Sequence, residues 1–244
     1  MDELRRRIYA NHISTMFGDL HDIDDIESEY RIHSRYFRKN YGPFLPDDKS
    51  ASIADLGCGF GHFLHFLKEN GYRQSVGVDV SPDIVSFARG KGFTVFEEDS
   101  RAFLLKRATS FDCIVMNDLI ELLTKEEILS MLDAVRAALK PGGRLIVKTP
   151  NMGNPFLAAS SMHMNFSHET SFNEVSLAEA CRIAGFRDVL VKGTDIYVFY
   201  ANPFNYPAKF AARILSGSFY LVNWLYGRTS IRIFEKDLMA VAYK

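Results

Sequence analysis

The sequence predicts an α/β fold in which a mostly parallel sheet carries helices on both faces. From residue 51 to about residue 150, short apolar runs alternate with longer amphipathic ones, and a glycine-rich turn directly follows the first apolar run. This alternation is typical of βαβ units, in which a crossover helix joins two parallel strands. A chain of 244 residues can bury one sizeable core, so we expect a single domain over 1–244.

Composition narrows the class of protein. The 29 basic residues nearly balance the 30 acidic ones, so no overall field attracts nucleic acid, and we expect no nucleic-acid partner. The start of the chain is charged where a signal peptide is apolar, and no run reaches the roughly 18 to 20 apolar residues of a spanning helix, which predicts a cytoplasmic protein. Neither a disulfide framework nor a metal site is expected from three widely spaced cysteines, Cys58, Cys113 and Cys181.

The elements follow in order from the N-terminus. Residues 1–46 are predicted as a helical cap, because Ile26, Tyr30 and Phe37 recur at helical spacing before "GPFLP" ends the pattern. The core over 51–195 starts with five predicted strands, "SIADL", "SVGVDV", "FTVF", "FDCIVMN" and "GRLIVKT". Helices are predicted between them, with Ser81 and Pro82 at the start of one and a capping box of Thr124 and Glu127 at another.

The last third of the chain departs from this alternation. Residues 151–175 are predicted as a polar loop, followed by the helix "SLAEACRIAGF" and the strand "RDVLVKG". A helical insertion is expected over 196–236 before the last strand over 237–244. Its amphipathic segment, residues 208–226, combines an apolar stripe with Lys209 and Arg213, and fits a lid, a homodimer face or a peripheral membrane contact.

The glycine turn predicts a nucleotide-like ligand. Gly57, Gly59 and Gly61 lie between a strand that contains Asp55 and a helix that begins near His62. Glycine lets the backbone pass close under a ligand, and the helix N-terminus offers N–H groups to an anion. In open α/β sheets this edge is where ligands bind.

Three acids indicate which nucleotide-like ligand is bound. Asp55 would repel a pyrophosphate but attracts a cation, which favours S-adenosylmethionine, with its ammonium and sulfonium, over NAD. Asp79 ends the second strand, where a carboxylate accepts both ribose hydroxyls, although it could instead only cap the next helix. Asp99 follows the third strand and can meet an adenine amino group or serve as a plain N-cap.

Over residues 51–151 the chain resembles the class I S-adenosylmethionine-dependent methyltransferases. The motifs that carry the resemblance are "ADLGCGFG", "GVDVS", "EEDS", "FDCIVMNDLIELL" and "LKPGGRLIVKTPN", in that order and spacing. The resemblance implies a Rossmann-like sheet of seven strands whose last strand is antiparallel. It also implies a cofactor site formed by Asp55, Gly57, Cys58, Gly59, Asp79, Val80, Asp99, Ser100 and Asn117.

Two further segments of the sequence indicate the subgroup of methyltransferases. "NDLIELL" lacks the Asn-Pro-Pro-Tyr-like motif of enzymes that methylate base amines, and resembles a pattern of small-molecule methyltransferases with Leu122 in place of a histidine. With no histidine at position 122, Glu121 is the ionisable residue beside that position. The "MHMNFSHETSF" stretch resembles the histidine loop of such enzymes, in which His168, and after it His163, is a candidate general base or acceptor ligand. A loop histidine can also be a hydrogen-bonding prop.

These observations lead to a functional hypothesis with alternatives. The aromatic-rich insertion resembles that of methyltransferases from polysaccharide clusters, so we expect an O-methyltransferase acting on a hydroxyl of a sugar or glycan. A small aromatic or quinone-like acceptor is the alternative within the class. A non-catalytic cofactor-binding module is the alternative outside it, with Leu122 as its best support.

Overall fold

A computed structural model describes residues 26–163, 165–198 and 203–244. Residues 1–25 of the predicted N-terminal cap lie outside this range. The strands are β1 Ser52–Leu56, β2 Gln74–Asp79, β3 Val95–Glu97, β4 Phe111–Asn117, β5 Leu139–Pro150, β6 Arg187–Gly193 and β7 Asp237–Tyr243. The α-helices are α1 Ile26–Asn40, α2 His62–Glu69, α3 Pro82–Gly90, α4 Ser100–Leu105, α5 Lys125–Ala138, α6 Ala158–His163, α7 Glu174–Ile183 and α8 Asn205–Leu225.

The described strands form one sheet in the order β3-β2-β1-β4-β5-β7-β6. Strands β1 to β5 pair in parallel, and β7 runs antiparallel to both β5 and β6. This topology confirms the predicted seven-stranded sheet with an antiparallel last strand. Because the strand order reverses between β1 and β4, their carboxyl ends open the crevice in which such sheets bind ligands.

Helices cover both faces of the sheet, as the sequence predicted. In β1 the side chains of Ala54 and Leu56 enter a core that includes residues of α5 and α7, whereas Ile53 enters a core that includes residues of α1 and α2. The period of two in a strand sends successive side chains to opposite faces. The predicted cap residues Ile26, Tyr30 and Phe37 are all buried in α1.

Local capping partly differs from the prediction. The capping box of Thr124 and Glu127 is present. Ser81 holds the N-cap position of α3 but makes no side-chain cap; instead its N–H donates to Asp79 Oδ1 at 3.0 Å. The predicted loop 151–175 contains α6, because Asn154 Oδ1 accepts the N–H groups of Phe156 and Leu157 and so starts a helical turn.

The predicted insertion over 196–236 contains the long helix α8, whose 21 residues include no buried one. As far as the structure describes the chain, none of its helices is both long enough and apolar enough to cross a membrane.

Candidate active site

The glycine turn folds down against β2. All three glycines have positive φ angles, +68° at Gly57, +51° at Gly59 and +82° at Gly61. The N–H groups of Gly57 and Cys58 both donate to the Val78 carbonyl, at 2.8 and 3.1 Å. A Cβ on Gly61 would lie 2.7 Å from the ring of Phe93, so no other residue fits there without movement. The backbone of the turn therefore packs closely against β2 and leaves space beyond the carboxyl ends of the strands.

A first cavity of about 550 Å³ opens on one side of this turn. Its lining includes six of the residues implied as cofactor ligands: Gly57, Gly59, Asp79, Val80, Asp99 and Ser100. Its other apolar side chains are those of Phe60, Ile84, Leu119, Leu122, Leu123 and Met131. Apolar walls with a few placed polar groups are the usual environment of a nucleoside.

Asp79 and Asp99 accept hydrogen bonds from backbone N–H groups and also line this cavity. Asp79 accepts the Gly59 N–H through Oδ2 at 3.1 Å, in addition to its bond from Ser81. Asp99 is the N-cap of α4 and accepts the Ala102 N–H at 2.9 Å. The N-cap role considered for Asp99 is therefore present, whereas Asp79 holds the backbone before α3 and does not cap the helix itself. Both residues line the cavity.

A second cavity of about 370 Å³ adjoins the first and shares Gly57 and Asp118 with it. Asp55, Cys58 and Asn117 line this cavity. Together the two cavities include all of the residues that the sequence implied as cofactor ligands. Helices α1 and α2 supply a further wall that the sequence did not predict, with the side chains of His33, Tyr36, Phe37, His62 and Phe63.

Asp55 is a buried acid with one carboxyl oxygen that lacks a partner among the described residues. It is 1% exposed, and no described residue forms a hydrogen bond with its Oδ1. Burial, with a smaller contribution from the charge of Asp79, raises the pKa of Asp55 well above its usual range. A buried polar atom without a partner is destabilising, and an ammonium group would satisfy it. Helix α2, which begins at His62 beside it, offers N–H groups to a carboxylate. The methionine end of S-adenosylmethionine fits both features.

The far wall of the second cavity is formed by strand ends and is charged. Lys148 of β5 forms an ion pair with Asp118, which follows β4 with a φ of +50°. Burial alone would lower the pKa of Lys148, but Asp118 and Asp237 outweigh it and raise the pKa. Burial also raises the pKa of Asp237, at the start of β7. Sequence reasoning missed Lys148 and Asp237 because only the β5–β7 pairing brings them together.

The three residues predicted as catalytic lie elsewhere. Among the described residues, neither cavity is lined by Glu121, His163 or His168. His168 Nδ1 lies 2.9 Å from the Ser161 carbonyl, while His163 is exposed at the end of α6. The histidine loop rests on the Glu121 backbone, whose carbonyl accepts the N–H groups of Glu169 and Thr170.

Glu121 itself is a buried acid beneath this loop. The residue is 3% exposed, and its Oε2 accepts a hydrogen bond from Thr149 Oγ1 at 3.0 Å. Burial, reinforced by the charge of Asp118, raises the pKa of Glu121 to about 8. The residue therefore supports the loop from below instead of facing a ligand.

Comparison with known proteins gives two curated relatives. The chain is 31% identical over 105 residues to tRNA (carboxymethyluridine(34)-5-O)-methyltransferase ALKBH8 of Macaca fascicularis, over 43% of this chain and 15% of the relative. It is 25% identical over 177 residues to tRNA U34 carboxymethyltransferase of Desulfotalea psychrophila, over 63% of this chain and 54% of the relative. The match thus spans about half or less of the length of these relatives.

A solved structure and a family model extend the comparison. The SAM-dependent methyltransferase from Archaeoglobus fulgidus superposes with a TM-score of 0.68 at 20% identity, covering 93% of this chain and all of that one. At this identity the likeness shows a shared fold. The model of the methyltransferase domain family matches residues 29–191, which is well over half of the chain. The chain therefore belongs to the methyltransferase domain family, and its fold is shared with an S-adenosylmethionine-dependent methyltransferase.

Proposed function

We propose that this enzyme transfers a methyl group from S-adenosylmethionine to a hydroxyl of a sugar or glycan. The observation that carries the proposal is the charged wall of the second cavity, in which Lys148, Asp118 and Asp237 lie beside the aromatic side chains of Tyr36 and Phe37. A polyol needs hydrogen-bonding groups for its hydroxyls and an apolar surface for its C–H face, and this wall offers both.

The chain's own residues hold the cofactor in this proposal. Asp55 accepts the ammonium, the N-terminus of α2 receives the carboxylate, and Asp79 accepts the ribose hydroxyls. The apolar side chains of the first cavity, with Asp99 at its edge, surround the adenine. Bound S-adenosylmethionine supplies an electrophilic methyl group, whose bond to sulfur breaks with the electron pair left on sulfur as the acceptor oxygen bonds to carbon.

The protein must also remove the proton that the hydroxyl loses. Asp237 faces the second cavity, and its raised pKa makes its carboxylate more basic than an ordinary one. We assign the proton transfer to Asp237, with His168 as the alternative base from the histidine loop. If Nδ1 of His168 donates to the Ser161 carbonyl, Nε2 is left as the basic nitrogen.

Two substitutions test whether Asp237 or His168 is the base. Asp237→Asn keeps the shape of the side chain but cannot take a proton, so turnover should fall by roughly 100-fold with cofactor affinity unchanged. His168→Ala should then lower turnover by less than roughly threefold. The reverse order of losses would move the base to His168.

A second candidate acceptor comes from the relatives. Both are named as enzymes of tRNA uridine 34, one of them a 5-O-methyltransferase. A modified wobble uridine would also present an oxygen to the second cavity. The net charge of −1 disfavours this candidate, because tRNA binding depends largely on neutralising phosphates.

Transfer of label from methyl-labelled S-adenosylmethionine tests the proposal. The acceptor panel contains nucleotide-linked sugars, lipid-linked sugars, simple phenols and quinols, and unfractionated tRNA. We expect label in a sugar fraction that is lost with Asp237→Asn. Label found only in phenols, or only in tRNA, would mean that this class of molecule is the acceptor in place of a sugar. Cofactor binding without any transfer would favour the non-catalytic module.

A further inference from the structure

Helix α8 is inverted with respect to an ordinary surface helix. The half-buried positions recur every three or four residues and are mostly polar or small: Asn205, Lys209, Ala212, Ser216, Phe219 and Asn223. The opposite side, here called the outer face of α8, consists of Tyr206, Phe210, Ile214, Gly217, Leu221, Trp224 and Leu225. A surface helix normally turns its apolar side toward the core.

The outer face is strongly exposed. Phe210 is 66% exposed, Ile214 and Leu221 are each 56% exposed, and Trp224 is 57% exposed. An apolar surface of this extent that is exposed to solvent marks a site of interaction with another molecule or with a membrane.

Contacts on the inner side fix this orientation. Lys209 forms an ion pair with Asp195, and Asn205 Nδ2 donates to the Tyr197 carbonyl at 2.9 Å. Phe219 packs against Phe156 and Phe234, with ring centroids 5.0 and 5.7 Å apart. Rolling α8 to bury its outer face would break these contacts. Within the described part of the chain, no residue of α8 lines either cavity, so the helix does not act as a lid in this conformation.

Charge distinguishes the kinds of partner that could cover the outer face. The stretch 203–234 contains no acidic residue and four basic ones. Three of these, Arg213, Arg228 and Arg232, are exposed. A second copy would bring the same acid-free surface against itself, without an opposite charge to meet it. RNA would meet the arginines but would leave Ile214 and Leu221 in water.

We propose that the outer face of α8 binds the surface of an anionic lipid bilayer, with the helix lying parallel to the membrane. Aliphatic and aromatic side chains enter the boundary between headgroups and acyl chains, and the flanking arginines meet the anionic headgroups. Tryptophan and tyrosine favour this boundary because each has an apolar ring and a polar atom. This binding does not depend on which acceptor the enzyme methylates.

Co-sedimentation of the full chain with vesicles tests the proposal. One set of vesicles is phosphatidylcholine alone, and the other contains about one third phosphatidylserine. We expect the protein to bind the anionic vesicles at least roughly fivefold more strongly, and to lose this preference in about 1 M salt. No binding to anionic vesicles, or equal binding to both sets, overturns the proposal.

Variants locate the binding surface. The double substitution Ile214→Gln with Leu221→Gln should weaken binding to anionic vesicles by roughly tenfold or more. The matched control is Ile183→Gln, an isoleucine of α7 that is 64% exposed, which should bind as the wild type does. The charge variant Arg213→Glu with Arg228→Glu should lose binding to anionic vesicles without a change in thermal melting.

Two results with these variants would contradict the proposal. Unchanged vesicle binding by the double glutamine variant would place the lipid contact elsewhere. A wild-type dimer that this variant converts to a monomer, observed by light scattering in the absence of vesicle binding, would assign the outer face to a second copy. If the glutamine variant does not fold, the charge variant alone decides, because its side chains are exposed.

Discussion

At the scale of single residues, the site is organised around acids that are buried or engaged with the backbone. Asp55 is buried with one oxygen lacking a partner, whereas Asp79 and Asp99 each accept backbone N–H groups. The first is prepared to meet a cation, and the other two hold fixed positions from which they can meet hydroxyl and amino groups. This division explains why the turn suits a cationic nucleoside better than a pyrophosphate.

Cofactor binding should release a proton from Asp55. Its raised pKa means that the carboxyl holds a proton to higher pH than an ordinary aspartate, and a bound ammonium favours the ionised form. Affinity for S-adenosylmethionine should therefore rise with pH until Asp55 is ionised without the ligand. Calorimetry in two buffers of different ionisation enthalpy measures the release, which Asp55→Asn should abolish; equal heats for the wild type in both buffers would contradict it.

Asp79→Ala should weaken binding of S-adenosylhomocysteine by about 1 to 3 kcal/mol, the range for a lost hydrogen bond to a charged group. The loss includes the ribose contact and the support that Asp79 gives to the Gly59 N–H. The control is Asp83→Ala, an exposed acid in the first turn of α3, which should leave affinity unchanged. Equal affinities of the wild type and Asp79→Ala would remove Asp79 from the site.

Glu121 should make folding stability depend on pH. Its pKa rises from an ordinary 4.5 to about 8 in the folded protein, so the folded state binds the proton more tightly than the unfolded state. Its contribution is present in full below about pH 4.5 and is lost as the pH rises toward 8. Denaturant unfolding should show Glu121→Gln gaining roughly 2 to 4 kcal/mol relative to wild type between pH 5 and 8. Parallel pH profiles of the two proteins would show that the carboxyl does not titrate this way.

At the scale of elements, the glycine turn is the part of the site with the strictest steric requirement. Gly61→Ala must hold a side chain at a positive φ and also displace the ring of Phe93. Gly142→Ala has the same backbone requirement, but its Cβ would meet nothing within 4 Å. We expect Gly61→Ala to destabilise the fold by about 1 to 3 kcal/mol more than Gly142→Ala in thermal unfolding. Equal losses of stability in the two variants would show that the ring of Phe93 moves aside without cost.

The elements also show which parts of the site can be predicted from sequence. The glycine turn, the acid that ends β2 and the acid that follows β3 are local signals, because strand, turn and helix are consecutive in the chain. The residues predicted from these signals as cofactor ligands line the two cavities. The wall formed by α1 and by Lys148 and Asp237 depends on contacts between distant segments. The inversion of α8 could not be predicted, since its periodicity is the same whichever side faces the protein.

At the scale of the whole molecule, the sheet order brings these parts together. The reversal between β1 and β4 opens the crevice, α1 lines the cavity that contains Asp55, and the antiparallel β7 brings Asp237 to the carboxyl end of β5. A nearly neutral chain of this kind relies on local groups for recognition, namely the two adjoining cavities and the basic, apolar outer face of α8. The outer face of α8 can be altered without changing a residue that lines either cavity.

Calorimetric titration with S-adenosylhomocysteine, and separately with NADH, tests the central claim most directly. The account predicts a single site for S-adenosylhomocysteine with a dissociation constant on the order of micromolar, and no binding of NADH. Binding of NADH without binding of S-adenosylhomocysteine would contradict the account, because the Asp55 site would then accept a pyrophosphate and reject the nucleoside for which it is prepared.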